Sequence, residues 1–505
     1  MKFNILRRKA NVVSNKEGAK AYTLTPELEL YAAVVTASLN DNFYEKSDAR
    51  LSRIQELVLK NNPEFVAKLA VYARNEMYMR SVPMVLAVEM AKTNSGNPVV
   101  GKTVNGIVKR ADEITELLAY YQLANSRTGV KKLNKLSKQI QKGLSNAFNR
   151  FDEYQFAKYN RETEVKLRDA LFLVHPKAKD DAQQKVFNKI AANELDVPYT
   201  WETELSALGQ IKYENEEAKA DAVKAKWEEL IDSEKIGYMA LMRNLRNILA
   251  ANVSATHVKK VCAVLSNENA VANSKQLPFR FLSAYREVKI LKSEFVTMIL
   301  NALEDAVVAS SKNLKGFEES TRVLIACDVS GSMQKPISAN SKVQLFDIGL
   351  MLGMLLQSKC KSVISGMFGD IWKVINMPSK SVLSNVGEYR NREGEVGYAT
   401  NGYKVIDDLI ARKVKMDKIM MFTDCQLWDS NFLGSSMEKS WKIYKARFPE
   451  AKLYLFDLAG YGNTQVNVRT NDVFLIAGWS DKVFDVLYSI ENGEDAVEKI
   501  KQVVL

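Results

Sequence analysis

The run Val323-Leu324-Ile325-Ala326-Cys327 ends in Asp328-Val329-Ser330-Gly331-Ser332. A short continuous apolar run suits a strand buried on both faces of a parallel sheet, and such folds bind ligands in the crevice at the carboxyl ends of their strands. One carboxylate and two hydroxyls are thereby delivered to a glycine-containing turn. Oxygen-only ligation with few charges fits Mg2+, which keeps several of its waters and rarely takes a full cage of protein ligands. Alone, Asp-x-Ser-x-Ser is a weak signal, because Asp and Ser are ordinary turn and N-cap residues and equally suit the start of a following helix.

A second strand strengthens it. Lys418-Ile419-Met420-Met421-Phe422-Thr423 is another apolar run and ends in Asp424. Between the two lies the loop Gly397-Tyr398-Ala399-Thr400-Asn401-Gly402, which offers a further hydroxyl and leads into a helical stretch from Tyr403 to Ala411. The combination resembles the metal-ion-dependent adhesion site of von Willebrand factor A domains. The resemblance implies a divalent cation, Mg2+ or another, held directly or through water by Asp328, Ser330, Ser332, Thr400 and Asp424. One coordination position would stay open for a partner's carboxylate. Tyr398 and Ala399 stand where that family commonly has glycines, which makes Thr400 the weakest member of the set.

Other segments extend the pattern. Ser362 to Phe368, Lys452 to Leu458 and Asp472 to Ala477 read as buried strands, alternating with helical stretches at Val343 to Leu356, Met437 to Arg447 and Asp481 to Ile490. Alternating strands and helices predict a doubly wound, Rossmann-like α/β domain over residues 319–505. Residues 1–318 have a different texture, with helix following helix. Thr25-Pro26 opens an amphipathic run to Leu39, Asn62-Pro63 one to Tyr78, and Ser81-Val82-Pro83 one to Met90. Proline in the first turn is a start signal, because its missing N–H would have been unsatisfied there in any case. Successive helices with short connections predict antiparallel pairs stacked as in HEAT or armadillo solenoids.

Composition narrows the function. With 47% hydrophobic and 26% charged residues among 505, the chain has ordinary globular content and enough length for two or three cores. Its longest apolar stretch, Ile348 to Leu356, is far short of the roughly 18 to 20 residues that a membrane span needs. The N-terminus turns basic after a very short apolar patch, the reverse of a secretory signal. Cys262, Cys327, Cys360 and Cys425 are widely spaced and read as reduced thiols of a cytoplasmic protein, which argues against an extracellular adhesion role.

Charge is unevenly spread. Residues 321–505 hold 23 Lys and Arg against 21 Asp and Glu, so most of the net +11 lies before them. Residues 126–179 alone carry 13 basic and 5 acidic side chains, interleaved with Phe148, Phe151, Tyr154, Phe156, Tyr159 and Phe172. Cations at helical spacing beside aromatic rings suit a phosphate backbone and unpaired bases. A solvated lysine-rich helix face whose aromatics are all core fits the same composition.

Three further segments carry a second resemblance. They are Met79-Arg80-Ser81-Val82-Pro83-Met84-Val85-Leu86-Ala87-Val88-Glu89-Met90-Ala91-Lys92, Tyr238-Met239-Ala240-Leu241-Met242-Arg243-Asn244-Leu245-Arg246 and Leu277-Pro278-Phe279-Arg280-Phe281-Leu282-Ser283-Ala284-Tyr285. Together with the Asp328 and Asp424 segments and Trp428, they look like the Ro ribonucleoprotein autoantigen family, a TROVE module plus a von Willebrand factor A domain. The resemblance implies an all-α HEAT-like ring, with small structured noncoding (Y-like) RNA on its basic outer surface and single-stranded 3′ ends of RNA in a central hole. It further implies a role in noncoding RNA quality control, possible partnership with an exoribonuclease, a monomeric protein within the ribonucleoprotein, and no membrane partner.

By that resemblance the stretch from Lys158 to Lys177 corresponds to an RNA-binding region, with Arg168, His175 and Lys177 as contacts. Lys138, Lys142, Lys158, Arg161, Lys166 and Lys179 join them on charge. A basic residue often found three positions before that histidine is Phe172 here. His175 also fits a hydrogen-bonded core histidine, and His257 reads as structural or surface. Arg80, Arg243, Arg246 and Arg280 are candidates for lining the hole. The last three sit in apolar helical contexts, where pairing with buried acids is favoured slightly over contact with phosphate.

An enzyme is not expected. RNA hydrolysis needs a placed general base and acid or a two-metal carboxylate cluster, and no P-loop or dinucleotide loop follows a strand. The alternative to an RNA scaffold is a metal-dependent adaptor that captures an acidic partner residue at the Asp328–Asp424 crevice.

Overall fold

Nine strands lie among the residues the structure describes: β1 (Val12–Ser14), β2 (Lys20–Thr23), β3 (Arg322–Asp328), β4 (Ser362–Phe368), β5 (Trp372–Val374), β6 (Lys418–Thr423), β7 (Lys452–Asp457), β8 (Asn463–Thr464) and β9 (Val473–Ala477). The computed structural model describes residues 12–14, 20–36, 49–126, 136–160, 163–276, 278–311, 317–336, 342–378, 381–427, 436–459, 463–464, 466, 472–477 and 496–505. The expected helix at 481–490, Trp428 and Arg161 lie outside them.

Six strands form one sheet in the order β5-β4-β3-β6-β7-β9, parallel throughout except for the edge strand β5. β3 is the first of these strands in the chain, yet it lies inside the sheet. The chain runs outward from it to β4 on one side and to β6, β7 and β9 on the other. Right-handed crossovers running in opposite directions place their helices on opposite faces. The point of reversal falls between β3 and β6, and the crevice there is the one that Asp328 and Asp424 enter. β3 and β6 are buried along almost their whole length, which explains their unbroken apolar runs.

The sequence did not signal β5 or the helix Val382–Arg390, and a short antiparallel edge strand carries little apolar pattern of its own. Nor did it signal the small sheet β1-β2-β8, in which Tyr22 pairs with Thr464 across most of the chain's length.

The chain divides into two compact units. One comprises residues 1–40, 276–286 and 303–497, and the other 41–275, 287–302 and 498–505. A single cut between 318 and 319 therefore does not describe the division. In the first unit β2 is stitched to β8, and the helix Pro26–Thr36 packs against β9. Arg286 and Glu304, which the sequence places in the helical part, bond into the α/β part of the same unit. The Arg286 guanidinium donates to both oxygens of Asp347 at 2.6 and 2.8 Å and to the Lys342 carbonyl at 3.1 Å. Glu304 accepts from the Leu383 and Ser384 N–H groups at 2.9 and 2.8 Å, capping the helix Val382–Arg390 at its electropositive end.

The second unit is a succession of helices. Asn62 caps Pro63–Asn75 by accepting from the Glu64 N–H at 2.8 Å, and Asn97 does the same for Pro98–Ile107 through the Val99 N–H at 3.1 Å. Pro63–Asn75 packs against Ser81–Thr93, and Pro98–Ile107 against Lys138–Phe148. A Cβ at Gly143 would meet the Val104 side chain at 2.6 Å, so only glycine permits that last approach. At the chain's end, Lys68 Nζ donates to the Lys501 carbonyl at 2.7 Å.

Asp347 is fully buried, so removing its bidentate partner strands a charge. Arg286→Met is expected to destabilise the first unit by about 3 kcal/mol, measured by denaturant or thermal unfolding. An unchanged transition would show that Arg390, 3.5 Å away, suffices for Asp347.

Candidate functional site

β3 carries Asp328 to the sheet's carboxyl edge, where it is fully buried. The Ser330 N–H donates to its Oδ1 at 2.9 Å and the Thr423 hydroxyl to its Oδ2 at 2.7 Å. The Ser330 and Ser332 hydroxyl oxygens lie 3.1 Å apart. Cys327 pairs with Phe422 in the ladder, so β6 delivers Asp424 to the same edge, where its Oδ1 accepts from the Gln426 N–H at 3.1 Å. Burial, then the neighbouring Asp424 charge, push the Asp328 carboxyl up to about 7 against the hydrogen bonds that favour its ionised form.

Two buried carboxylates thus lie beside the hydroxyls of buried Ser330 and half-buried Ser332, where like charges repel and a cation would relieve them. Among the described residues no group of three His, Cys, Asp or Glu side chains gathers as metal ligands. A cation at this edge would therefore depend on hydroxyl oxygens beside the two carboxylates, and hard donors of this kind fit Mg2+.

Thr400 is buried on a loop fastened to the turn after β4. The Asn401 N–H donates to the Gly369 carbonyl at 3.2 Å, the Ala399 N–H to Asp370 Oδ1 at 3.2 Å, and the Ile371 N–H to the Val396 carbonyl at 3.1 Å. The loop passes so close that a Cβ at Gly369 would collide with the Gly397 carbonyl, and Gly397 itself has φ +70°. Since β4 neighbours β3, the Thr400 loop belongs to the same edge of the sheet.

The second candidate surface lies in the helical unit. Lys138, Lys142, Lys158, Lys166, Arg168, His175, Lys177 and Lys179 are all exposed. Lys138 and Lys142 are one turn apart on the helix Lys138–Phe148. The same helix holds the 173–179 segment: Gln141 Nε2 donates to the Val174 carbonyl at 3.1 Å, and Asn149 bonds the Lys177 carbonyl at 2.8 Å and the Lys179 N–H at 2.9 Å. His175 is not a core histidine. It takes the left-handed conformation that ends the helix Leu167–Val174, with its ring exposed. Arg150 is committed elsewhere, donating to the Asn105 and Val108 carbonyls at 2.7 and 2.6 Å.

The aromatics divide. Phe148, Phe151 and Phe156 are core, whereas Tyr154 and Phe172 are 48% and 50% exposed. Arg168 lies 5.8 Å from the Phe172 ring centre, and Lys158 lies 5.7 Å from that of Tyr154.

Comparison with known proteins bears on this unit. The family described as TROVE domain matches residues 12–225 and 194–326. The chain belongs to the TROVE family. Telomerase protein component 1 of Mus musculus is 25% identical over 336 residues, which are 50% of this chain and 12% of that protein. Its Rattus norvegicus counterpart is 24% identical over 348 residues, 53% of this chain and 13% of that one. The chain thus spans only about an eighth of the length of these curated relatives. The crystal structure of the Deinococcus radiodurans RO (RSR) protein is similar in fold, with a TM-score of 0.60 at 16% identity over 92% of this chain and 100% of that one. The architecture is the combination of successive helices and a doubly wound α/β sheet read from the sequence.

The TROVE arginines are placed differently from their sequence contexts. Arg80 is bound to Asp112 and Glu116, each at 2.7 Å, with Glu113 at 3.6 Å, which gives it a structural partner set. Arg243 and Arg246 are exposed, contrary to the favoured reading of buried pairing, while Leu241, Met242, Leu245 and Ile248 of the same two helices are buried; Arg280 is exposed as well. Asp457 was missed. It is fully buried at the end of β7, and its charge, with those of Asp424 and Asp328, acts on the buried Cys425 thiol, which burial already holds well above its ordinary range. The signal was present, since Lys452 to Asp457 is a third apolar run ending in an aspartate.

The raised Asp328 pKa sets a pH dependence. The folded carboxyl holds its proton up to about 7 and the unfolded one only to about 4, so stability is lost as pH rises between these values. In thermal unfolding of the metal-free protein, the midpoint of Asp328→Asn should gain on that of the parent as pH rises from 4 to 7. A difference between the two proteins that stays constant across this range would contradict the assignment.

Proposed function

We propose that this protein is an RNA-binding scaffold of a ribonucleoprotein, holding a small structured noncoding, Y-like RNA on the exposed basic surface of its helical unit. The carrying observation is that surface. Cations from the helices Lys138–Phe148 and Leu167–Val174 and from the 175–179 segment are fastened together by side-chain to backbone hydrogen bonds, with exposed rings beside them. Among the described residues no ion pair engages Lys138, Lys142, Lys158, Arg168, Lys177 or Lys179, so these charges are not neutralised by neighbouring carboxylates. Phosphate contacts position an RNA without reading its sequence, and structured RNA is recognised largely by shape. The proposal extends to single-stranded 3′ ends of RNA, with exposed Arg243 and Arg246 as contacts, and to a non-enzymatic, cytoplasmic part in RNA quality control alongside an exoribonuclease.

The α/β unit supports a second, compatible reading, carried by the two buried carboxylates. A divalent cation such as Mg2+, held by Asp328, Ser330, Ser332, Thr400 and Asp424, would supply a Lewis-acidic position for an acidic group of a partner protein. The chain's own part is to keep the oxygens oriented, as Thr423 does for Asp328.

Two measurements test these readings. Affinity for a small hairpin RNA should fall steeply with salt, because each neutralised phosphate releases counterions. Reversing Lys166, Arg168 and Lys177 to Glu should weaken binding across unrelated sequences and lower the salt slope by about 2 to 3. Parent-like binding by the triple variant would remove this surface as the site. For the crevice, millimolar Mg2+ should raise the thermal midpoint of the parent and leave Asp328→Asn unmoved. An equal rise in both proteins would exclude cation binding there.

A further inference from the structure

Within the helical unit an open cleft of about 60 Å³ lies between the helix Glu153–Tyr159 and the segment from Tyr199 to Trp201. Three aromatic side chains line it: Tyr154, Tyr199 and Trp201. Two lysines, Lys158 and Lys235, also line it. From the structure we infer that this cleft takes one unpaired nucleobase of the bound RNA, stacked on the aromatic side chains, with the flanking phosphates on the two lysines. The inference rests on the RNA-binding function proposed above and adds to it a site at which a single-stranded nucleotide is told from a paired one.

The walls are fixed before any ligand arrives. Trp201 stacks on the buried Trp227 with ring centres 6.2 Å apart and 19° between the planes. A reciprocal capping box between Thr200 and Thr203 sets the start of the helix that carries Trp201. The Tyr199 hydroxyl donates to Glu229 Oε1 at 3.1 Å, and the Tyr154 hydroxyl reaches the Tyr199 carbonyl at 3.5 Å. Tyr154 nevertheless leaves nearly half of its surface in water. Aromatic surface held in place and left wet is what base stacking requires.

The cations select among ligands. Lys235 Nζ lies 5.2 Å from the Tyr199 ring centre and Lys158 Nζ 5.7 Å from that of Tyr154. An aromatic cage for a quaternary ammonium would be disfavoured by these two charges, whereas a nucleotide brings a flat π-face together with anionic phosphates. Lys158 is also one of the exposed cations named above.

The test compares single-stranded RNA of about 12 nucleotides, the size range of one stacking groove, with a duplex of the same length at one salt concentration. Tyr154→Ala should weaken single-strand binding about tenfold and duplex binding much less, while Tyr154→Phe should bind as the parent does. A strand carrying 4-thiouridine should crosslink to peptides containing Tyr154 or Trp201. If the parent binds the single strand but Tyr154→Ala binds it equally well and the crosslinks fall elsewhere, the cleft is not a base site and the RNA-binding function stands. If the parent binds neither RNA at low salt, the function itself fails and the inference with it.

Discussion

The chemistry of the α/β unit turns on two carboxylates that its topology forces together. β3 and β6 are neighbours only because the chain winds outward from β3 in both directions, and each of these strands delivers an aspartate at its end. Burial in a low-dielectric edge makes their repulsion expensive, and hydrogen bonds from Thr423 and the Ser330 backbone offset it only in part. A fold that maximised stability alone would place an amide or an apolar group there. Retaining paired acids beside two hydroxyls is the kind of local conflict with stability that marks a functional site.

The same unit draws on distant parts of the chain. Arg286 and Glu304 satisfy groups that would otherwise be stranded: a fully buried carboxylate in one case, and the first N–H groups of a helix in the other. Such contacts bind sequence-remote helical residues into the α/β unit, which is why the compact units do not follow the order of the chain. In the helical unit the corresponding device is the amide side chain. Asn149, Gln141 and the buried Gln183 bond backbone carbonyls of neighbouring segments, which fixes the segments carrying Lys138, Lys142, Lys177 and Lys179 without neutralising those charges. Positive charge held by neutral hydrogen bonds stays available to phosphate.

Much of the α/β unit was legible because buried parallel strands write themselves as apolar runs. β4, β6 and the helices Tyr403–Ala411 and Met437–Arg447 have the boundaries read from sequence. The elements that escaped notice have weak patterns for physical reasons: β5 is a three-residue edge strand, and β1, β2 and β8 find partners only across long sequence separations. Asp457 was legible by the same rule as Asp328 and Asp424 and was overlooked because no hydroxyl motif follows it.

The sequence by itself determined the element types, the convergence of Asp328 and Asp424 on one edge, and the concentration of positive charge in residues 126–179. Those follow from local periodicity and from strand-end chemistry, which act over a few residues. Tertiary structure alone decided which cations face water. Arg80 and Arg150 are tied to carboxylates and carbonyls, Arg243 and Arg246 are exposed, and His175 is held on a left-handed helix end. It alone brought Tyr154 together with Tyr199, Trp201 and Lys235. The face a side chain presents depends on helix packing between segments tens of residues apart, and no spacing along the chain records it.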